Sequence, residues 1–335
     1  MVAVSSFVGI YGTLSKMTKR EDAEQAVIDE IRKRFGAGAI FYGDDKPVEE
    51  VKALSTGSLM LDLATGVGGF PYGRNTEVFG RESSGKTTVM QHAVANAQKK
   101  GQVAAFIDME HALDEKYAIL CGVDIDKLII SQPDTGEQAM EIAESLVRSG
   151  LVKVLVVDSI ATLVPRAEVE GDFGDATMGG QARLMSQSMR KLAPIIKKFG
   201  VCAIWTNQIR MKIGVMYGSP EYEPGGLAMK HAASLRIRLA KLSEGTDGTR
   251  AHIKARVVKN KIAPPYKEAE FDINYLQGID TERDSINAFV AKKIIEKNGG
   301  WYKYKENKWQ GIDAVVKSLR EQPELLKELE GRIKT

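Results

Sequence analysis

The chain has 335 residues, 43% hydrophobic and 27% charged, and 47 Lys and Arg against 44 Asp and Glu leave a formal net charge of +3. This composition excludes wholesale disorder and collagen-like or coiled-coil architectures, and at ~150 residues per domain it predicts about two domains, or one large α/β domain with appendages. With a net charge so near zero, a polyanionic partner has to be held by locally clustered Lys and Arg.

Residues 1–20 lack periodicity and read as a loose arm whose apolar run is short, Gly-broken and followed by its basic residues, so no signal peptide is expected. Residues 21–50 read as a small helix and strand. Val27, Ile31 and Phe35 recur every four residues beside a charged face, Gly36 stops the helix, and a short strand AIFY around Ile40 follows. Such a pair cannot bury a core alone and must dock on the main domain or on another copy of the chain. From 51 to 275, short apolar runs (NTEVFG, VAAFID, LIIS, KVLVVD, VCAIWT) alternate with helical stretches. That pattern implies βαβ units and a mostly parallel sheet covered on both faces. LRIRL, HIKARVVK and EFDINY then follow without helices between them and predict an antiparallel extension at one edge. Residues 276–335 read as a small C-terminal α+β domain: a helix SINAFVAKKIIEKNG, the aromatic and basic WYKYKENKW, and a final helix from Ile312 onward. WYKYKENKW could present Lys303, Lys305 and Lys308 to duplex phosphates, or be a hairpin with packed aromatics. Cys121 and Cys202 form no C-x-x-C, and the four histidines lack metal-ligand spacing. A reducing cytoplasm is the expected setting, and no stretch approaches a membrane span.

The sharpest motif is Gly80-Arg81-Glu82-Ser83-Ser84-Gly85-Lys86-Thr87, a G-x-x-x-x-G-K-[ST] phosphate loop between a strand and a helix. Its glycines let backbone N–H groups face phosphate oxygens, Lys86 neutralises the β/γ-phosphates, and the Thr87 hydroxyl suits Mg²⁺. Asp158 ends a buried-type strand at the carboxyl edge, where ligands bind in open α/β folds, and would hold the Mg²⁺ shell; alone it could equally be a helix N-cap. Asp108 and Glu110 reach the same edge, and Glu110 could orient an attacking water or simply begin the next helix. The strand VCAIWT runs into Asn207-Gln208, an amide able to sense a γ-phosphate, with a turn-forming Asn as the alternative. Two long glycine-bearing segments, EVEGDFGDATMGG and MKIGVMYGSPEYEPGG, leave this edge and suggest a surface for something extended. An ABC-type ATPase is disfavoured by the lack of LSGGQ, and a GTPase by Asn260-Lys261-Ile262-Ala263, which lacks the Asp of N-K-x-D.

Across about residues 22–330 the chain resembles the bacterial RecA recombinase family, on FGAGAI, STGSLMLDLATGVGG, ESSGKTT, AFIDMEHALD, SQPDTGEQA, VVDS, MSQSMRKL, NQIRMKIGVM, VVKNKIAPP, AEFDI and GGWY. The resemblance implies a RecA-like P-loop NTPase core and an ATP-dependent recombinase. Such a protein polymerises on single-stranded DNA as a filament, pairs it with homologous duplex and exchanges strands, serving DNA repair and the SOS response. It implies ATP and Mg²⁺ as ligands of the phosphate loop through Thr88, with Asp158 and Ser159 as the second acidic motif, Glu110 as the water-activating carboxylate and Gln208 as the γ-phosphate sensor. Asp114 and Tyr117 match adenine-side contacts. Lys259 and Lys261 match cations reaching a neighbour's ATP, although a solvated strand end would look the same. Met178, Arg183, Arg190, Lys212, Gly225 and Gly226 fall where DNA-facing elements lie, with the glycine N–H groups expected to grip the strand. Whether it also promotes cleavage of a self-cleaving repressor is left open, as is a ring-shaped motor or a non-hydrolysing scaffold on the same core. The chain departs from the family at Arg81, where proline is usual, at Glu221-Tyr222-Glu223-Pro224, where threonines are usual, and at His231, where an aromatic is usual. The terminal GRIKT lacks the acidic tail of many members, so less inhibited duplex binding is expected.

Overall fold

In a computed structural model of the chain the described residues are 22–43, 50–172, 179–212, 220–245 and 248–333. The expected arm 1–20, the middle of each glycine-bearing segment and Met178 lie outside them. Met1–Glu50 and Val51–Thr335 are separate units.

In the first unit, helix α1 (22–35) ends where the Gly36 N–H returns to Arg32 O at 2.8 Å, and Gly36 has a φ of +96°. Arg32 Nε donates to Ile40 O at 3.2 Å, folding the following segment back over the last turns. The expected strand around Ile40 is not formed: the described residues 36–43 are turn and irregular, and those of this unit hold no second strand to pair with. The apolar stripe is largely uncovered, with Val27 55% and Phe35 66% exposed.

The second unit is built on a nine-stranded sheet. Its strands, in chain order, are β1 (Arg74–Gly80), β2 (Val103–Asp108), β3 (Ile129–Ser131), β4 (Val152–Asp158), β5 (Cys202–Gln208), β6 (Leu235–Glu244), β7 (Arg250–Asn260), β8 (Glu268–Asn274) and β9 (Gly278–Ile279). They lie in the order β9-β8-β7-β6-β1-β5-β4-β2-β3. From β6 to β3 every pairing is parallel, and from β6 to β9 every pairing is antiparallel, as the run of strands without helices implied. Helices α2 (Leu59–Thr65), α3 (Lys86–Lys99), α4 (Glu115–Leu120), α5 (Gly136–Arg148) and α6 (Gly180–Phe199) accompany the sheet.

Strand alternation divides the interior into two layers. Phe106, Val154, Val156 and Ile204 face α3, whereas Ile107, Leu155, Val157 and Trp205 join the core formed with α5 and α6. Burial on both faces is why β2, β4 and β5 read as unbroken apolar runs. Parallel strands whose registers are fixed by two cores bring their carboxyl ends to one edge, with Gly80 opposite Gln208 and Asp108 opposite Asp158.

A third core holds the C-terminal segment. Helix α7 (Thr281–Ala291) stops about two turns before the sequence pattern predicted, because Lys293 has a φ of +58° and Ile295 turns into the core while Glu296–Asn298 becomes a strand. WYKYKENKW is a hairpin, Trp301–Tyr304 against Asn307–Gln310, which buries Tyr302, Tyr304 and Trp309 and ties Lys305 to Glu328 at 2.6 Å. The single final helix expected is two, Ile312–Glu321 and Pro323–Ile333, since Pro323 has no N–H to continue the first and restricts Gln322 before it. Among the described residues no helix is long and apolar enough to cross a membrane.

Helix α2 went unread in the sequence although Ser58 caps its start and Gly66, at φ +72°, ends it. Its N-terminus is completed from far along the chain: Asp284, 2% exposed, accepts from Ser58 Oγ at 2.9 Å and from the Leu59 and Met60 N–H groups. Burial pushes the Asp284 carboxyl up to about 7 and that of nearby Asp62 up to about 6. Asp284→Ala strands the buried Ser58 hydroxyl and two part-buried N–H groups, and urea denaturation is expected to show a loss of about 1–3 kcal/mol. Unchanged stability would mean that water replaces the carboxylate there.

Candidate nucleotide and DNA sites

The phosphate loop leaves β1 at Gly80 and enters α3 at Lys86. Gly85 takes a φ of +84°, and a Cβ on Gly80 would lie 2.4 Å from Leu239 O, so neither position tolerates a side chain without movement. Lys86 Nζ folds back onto the loop carbonyls of Gly80 (3.3 Å) and Arg81 (2.9 Å). Burial draws the Lys86 ammonium below its ordinary range, opposed by the charges of Asp158, Glu110 and Glu82. Ser84 Oγ is buried and lacks a hydrogen-bond partner.

Asp158 gathers two hydroxyls, Thr87 Oγ1 on Oδ2 at 2.9 Å and Thr206 Oγ1 on Oδ1. Burial pushes its carboxyl up, and the hydrogen bond from Thr206 pulls the other way. Glu110 lies two residues past β2, and its Oε1 accepts from Ser159 Oγ at 2.7 Å and from Gln208 Nε2 at 2.9 Å. Asp108 turns inward to hold the same segment, accepting from the N–H groups of Glu110 and Leu113, both at 3.1 Å, and from Gln132 Nε2 at 3.0 Å. Asp114 caps α4 through the Tyr117 N–H, and the Tyr117 hydroxyl meets Thr88 Oγ1 at 3.1 Å, bringing α4 against the start of α3. The residues read as nucleotide contacts therefore converge on one edge.

Lys259 and Lys261 do not join them. Both ammonium groups donate to carbonyls ending the short helix Ala228–Ala232, Lys259 to Lys230 O and both to His231 O. Register pairs Lys259 with Arg236 and Arg236 with Glu77, three residues or ~10 Å before Gly80 along the strands.

Arg183 and Arg190 are exposed two turns apart on α6, and Lys212 is exposed at the end of a two-stranded ribbon, Arg210–Met211 against Glu221–Tyr222, that continues from β5. Gly225 and Gly226 take φ values of +83° and +71°. The Gly225 N–H, expected to face a strand, instead donates to Gln181 Oε1 at 3.1 Å, and a Cβ there would meet Ile160 Cγ2 at 2.8 Å. Gly226 is exposed.

Sequence reading missed the polar groups behind this edge. Glu77, 1% exposed on β1, is held by Arg236, and Arg236 also reaches Glu223 at 3.2 Å while stacking over Phe79 at 4.5 Å. Asn207 Nδ2 bridges Glu77 Oε1 (3.0 Å) and Pro224 O (3.1 Å). Gln181 Nε2 donates to Ile160 O at 2.8 Å and Leu163 O at 3.2 Å. Partners up to 159 residues apart leave no local pattern to find.

A phosphate loop on a mostly parallel sheet, with carboxylates from neighbouring strand ends beside it, defines a RecA-like P-loop ATPase core. Comparison with known proteins agrees along the chain: residues 22–280 match the RecA N-terminal domain and residues 284–335 the RecA C-terminal domain. Protein RecA of Geobacter sulfurreducens is 53% identical over 320 residues, covering 94% of this chain and 95% of the relative. Protein RecA of Salinispora tropica is 50% identical, with 96% and 93% covered, and Protein RecA 2 of Myxococcus xanthus is 51% identical, with 94% and 90% covered. The chain belongs to the RecA family, and its activity is that of a nucleotide-binding, DNA-dependent ATPase that forms filaments in homologous recombination and DNA repair.

Arg236→Ala would leave Glu77 buried without its ion partner, and urea or thermal denaturation is expected to report a loss of about 3–5 kcal/mol. A loss below about 1 kcal/mol would show that Asn207 alone satisfies Glu77.

Proposed function

We propose that the carboxyl edge binds ATP with Mg²⁺, and that the chain polymerises on single-stranded DNA, pairs it with homologous duplex and exchanges strands in the cytoplasm. The observation that carries this reading is the Glu110 carboxylate, joined to Gln208, whose strand leads within two residues into the ribbon bearing Arg210 and Lys212. Chemistry at the nucleotide and contact with DNA then share one strand end.

The N–H groups of Gly80 to Thr88 take the phosphates, with Arg81, Glu82, Ser83 and Ser84 in the turn. Lys86, released from the loop carbonyls, meets the β/γ-phosphates, whose negative charge further opposes the effect of burial on its ammonium. Asp114 and Tyr117 flank the adenine. Thr87 and Asp158, with Ser159 beside them, offer hard oxygen donors 2.9 Å apart, which fits a cation that takes one or two protein oxygens beside substrate phosphates. When bound, Mg²⁺ neutralises charge developing on the phosphate oxygens. Two donors fix Glu110 Oε1, so Oε2 is the oxygen that orients the attacking water and takes its proton as the bond from the γ-phosphorus to the bridging oxygen breaks and ADP leaves.

Lys259 and Lys261 leave their helix-end carbonyls to reach the ATP of an adjacent protomer, with the uncovered stripe of α1 docking between copies. Met178, Arg183, Arg190, Lys212, Gly225 and Gly226 line the DNA path, and a self-cleaving repressor is a further partner by family likeness. The division into an arm (1–20), a docking segment (21–50), an ATPase core (51–275) and a C-terminal domain (276–335) follows the same reading.

Lys86→Ala is expected to abolish binding of a fluorescent ATP analogue. Glu110→Gln should retain binding and filament assembly while phosphate release falls about 10²–10⁴-fold. Normal turnover in the glutamine variant would remove Glu110 from this role. Strand exchange with homologous but not heterologous duplex tests the whole reading, and failure with both would leave an ATPase of another kind.

A further inference from the structure

The ribbon at the DNA-facing edge carries two glutamates, Glu221 and Glu223, where a polyanion is expected to bind, and the structure explains how it can. Side chains alternate across a strand, so residues 221 and 223 share one face and residue 222 takes the other. The two glutamates turn toward the protein and are neutralised there. Glu221 is paired with Arg238 at 2.8 Å and with Arg81 of the phosphate loop at 3.1 Å, and Glu223 with Arg236 at 3.2 Å and with Lys230. Tyr222 is left on the opposite face, 36% exposed.

Register defines its company. Arg210 is the direct cross-strand partner of Tyr222, and Lys212 shares Arg210's face two residues on, with the Lys212 N–H bonded to Pro220 O at 2.8 Å to hold the ribbon closed. Lys212 Nζ lies 5.6 Å from the centre of the Tyr222 ring. An aromatic ring with cations on neighbouring positions is an arrangement by which proteins hold single strands, the ring stacking on a base and the cations meeting the adjoining phosphates.

We infer that Tyr222 is a stacking platform for one base of single-stranded DNA, flanked by Arg210 and Lys212 as phosphate contacts. The inference rests on the DNA-binding reading of this edge and adds to it a contact with a base. Stacking on a π-face is tolerant of sequence, so the platform grips without selecting a base.

The test is fluorescence anisotropy of a labelled oligothymidylate with the full chain and a non-hydrolysable ATP analogue, alongside an abasic strand of the same length. Tyr222→Ala should raise Kd for oligothymidylate about tenfold, while Tyr222→Phe stays within about twofold. On the abasic strand, wild type and Tyr222→Ala should bind alike. An equal loss on both strands would overturn the inference, since the ring would then act on the backbone or on the ribbon itself. No loss on either, with Arg190→Ala still weakening binding, would overturn it and leave the DNA reading intact. If Arg190→Ala also binds normally, the DNA reading of this edge falls and the inference falls with it.

Discussion

One carboxylate oxygen joins the ends of three neighbouring strands. Glu110 Oε1, just beyond β2, accepts from Ser159 beyond β4 and from Gln208 at the end of β5. That meeting depends on register, because a slip of one residue in any of these strands would turn its end residue to the other face of the sheet. Register is in turn held by burial on both faces, where Leu155 and Val157 enter one core and Val154 and Val156 the other. The chemistry of the edge is thus a consequence of how the sheet is packed. Either donor can leave Glu110 by side-chain rotation without a strand moving, Ser159 having Thr162 Oγ1 3.4 Å away as a second partner.

Polar groups behind the edge constrain it further. Glu77 is buried on β1 at the cost of desolvating a charge, and Arg236, Asn207 and Phe79 together offset that cost by ion pairing, hydrogen bonding and stacking. Because Asn207 also holds Pro224 O and Arg236 also holds Glu223, the segment leading to Gly225 is bonded to β1, the strand that delivers the phosphate loop. Gln181 completes the attachment through the Gly225 N–H. The two glycines therefore mark a turn packed closely on Ile160 and Ala182, where a Cβ would lie 2.8 and 3.0 Å from its neighbours.

What could be read from the sequence follows from what is local. The phosphate loop, the strand ends at Asp108, Asp158 and Gln208, and the change from parallel to antiparallel pairing all leave periodic or contiguous signals. The strand around Ile40 failed as a reading because β-propensity without a partner edge makes no strand. Helix α7 stopped early because Lys293 adopts a left-handed conformation that the apolar pattern does not encode. The cap of α2 by Asp284, the holding of Glu77 by Arg236, and the resting of Lys259 and Lys261 on helix-end carbonyls join residues distant in sequence and leave no pattern within any window. Family likeness supplied the reading of Asp114 and Tyr117 as nucleotide contacts, but not the contact that holds Tyr117 in place, its hydroxyl against Thr88.

Charge is where sequence and structure differ most in meaning. A net +3 counts Glu221 and Glu223 as two negative charges on the ribbon after β5, yet each is paired with two cations on the protein side of its strand. The same pairs engage Arg81, Arg236 and Arg238, whose charges are thereby shared with carboxylates. Arg210 and Lys212 lie on the other face of the ribbon, and Arg183 and Arg190 are exposed on α6, few charges per protomer but repeated at every step of a filament. Attraction to a polyanion then depends on the spacing of that repeat and not on the sum over the chain.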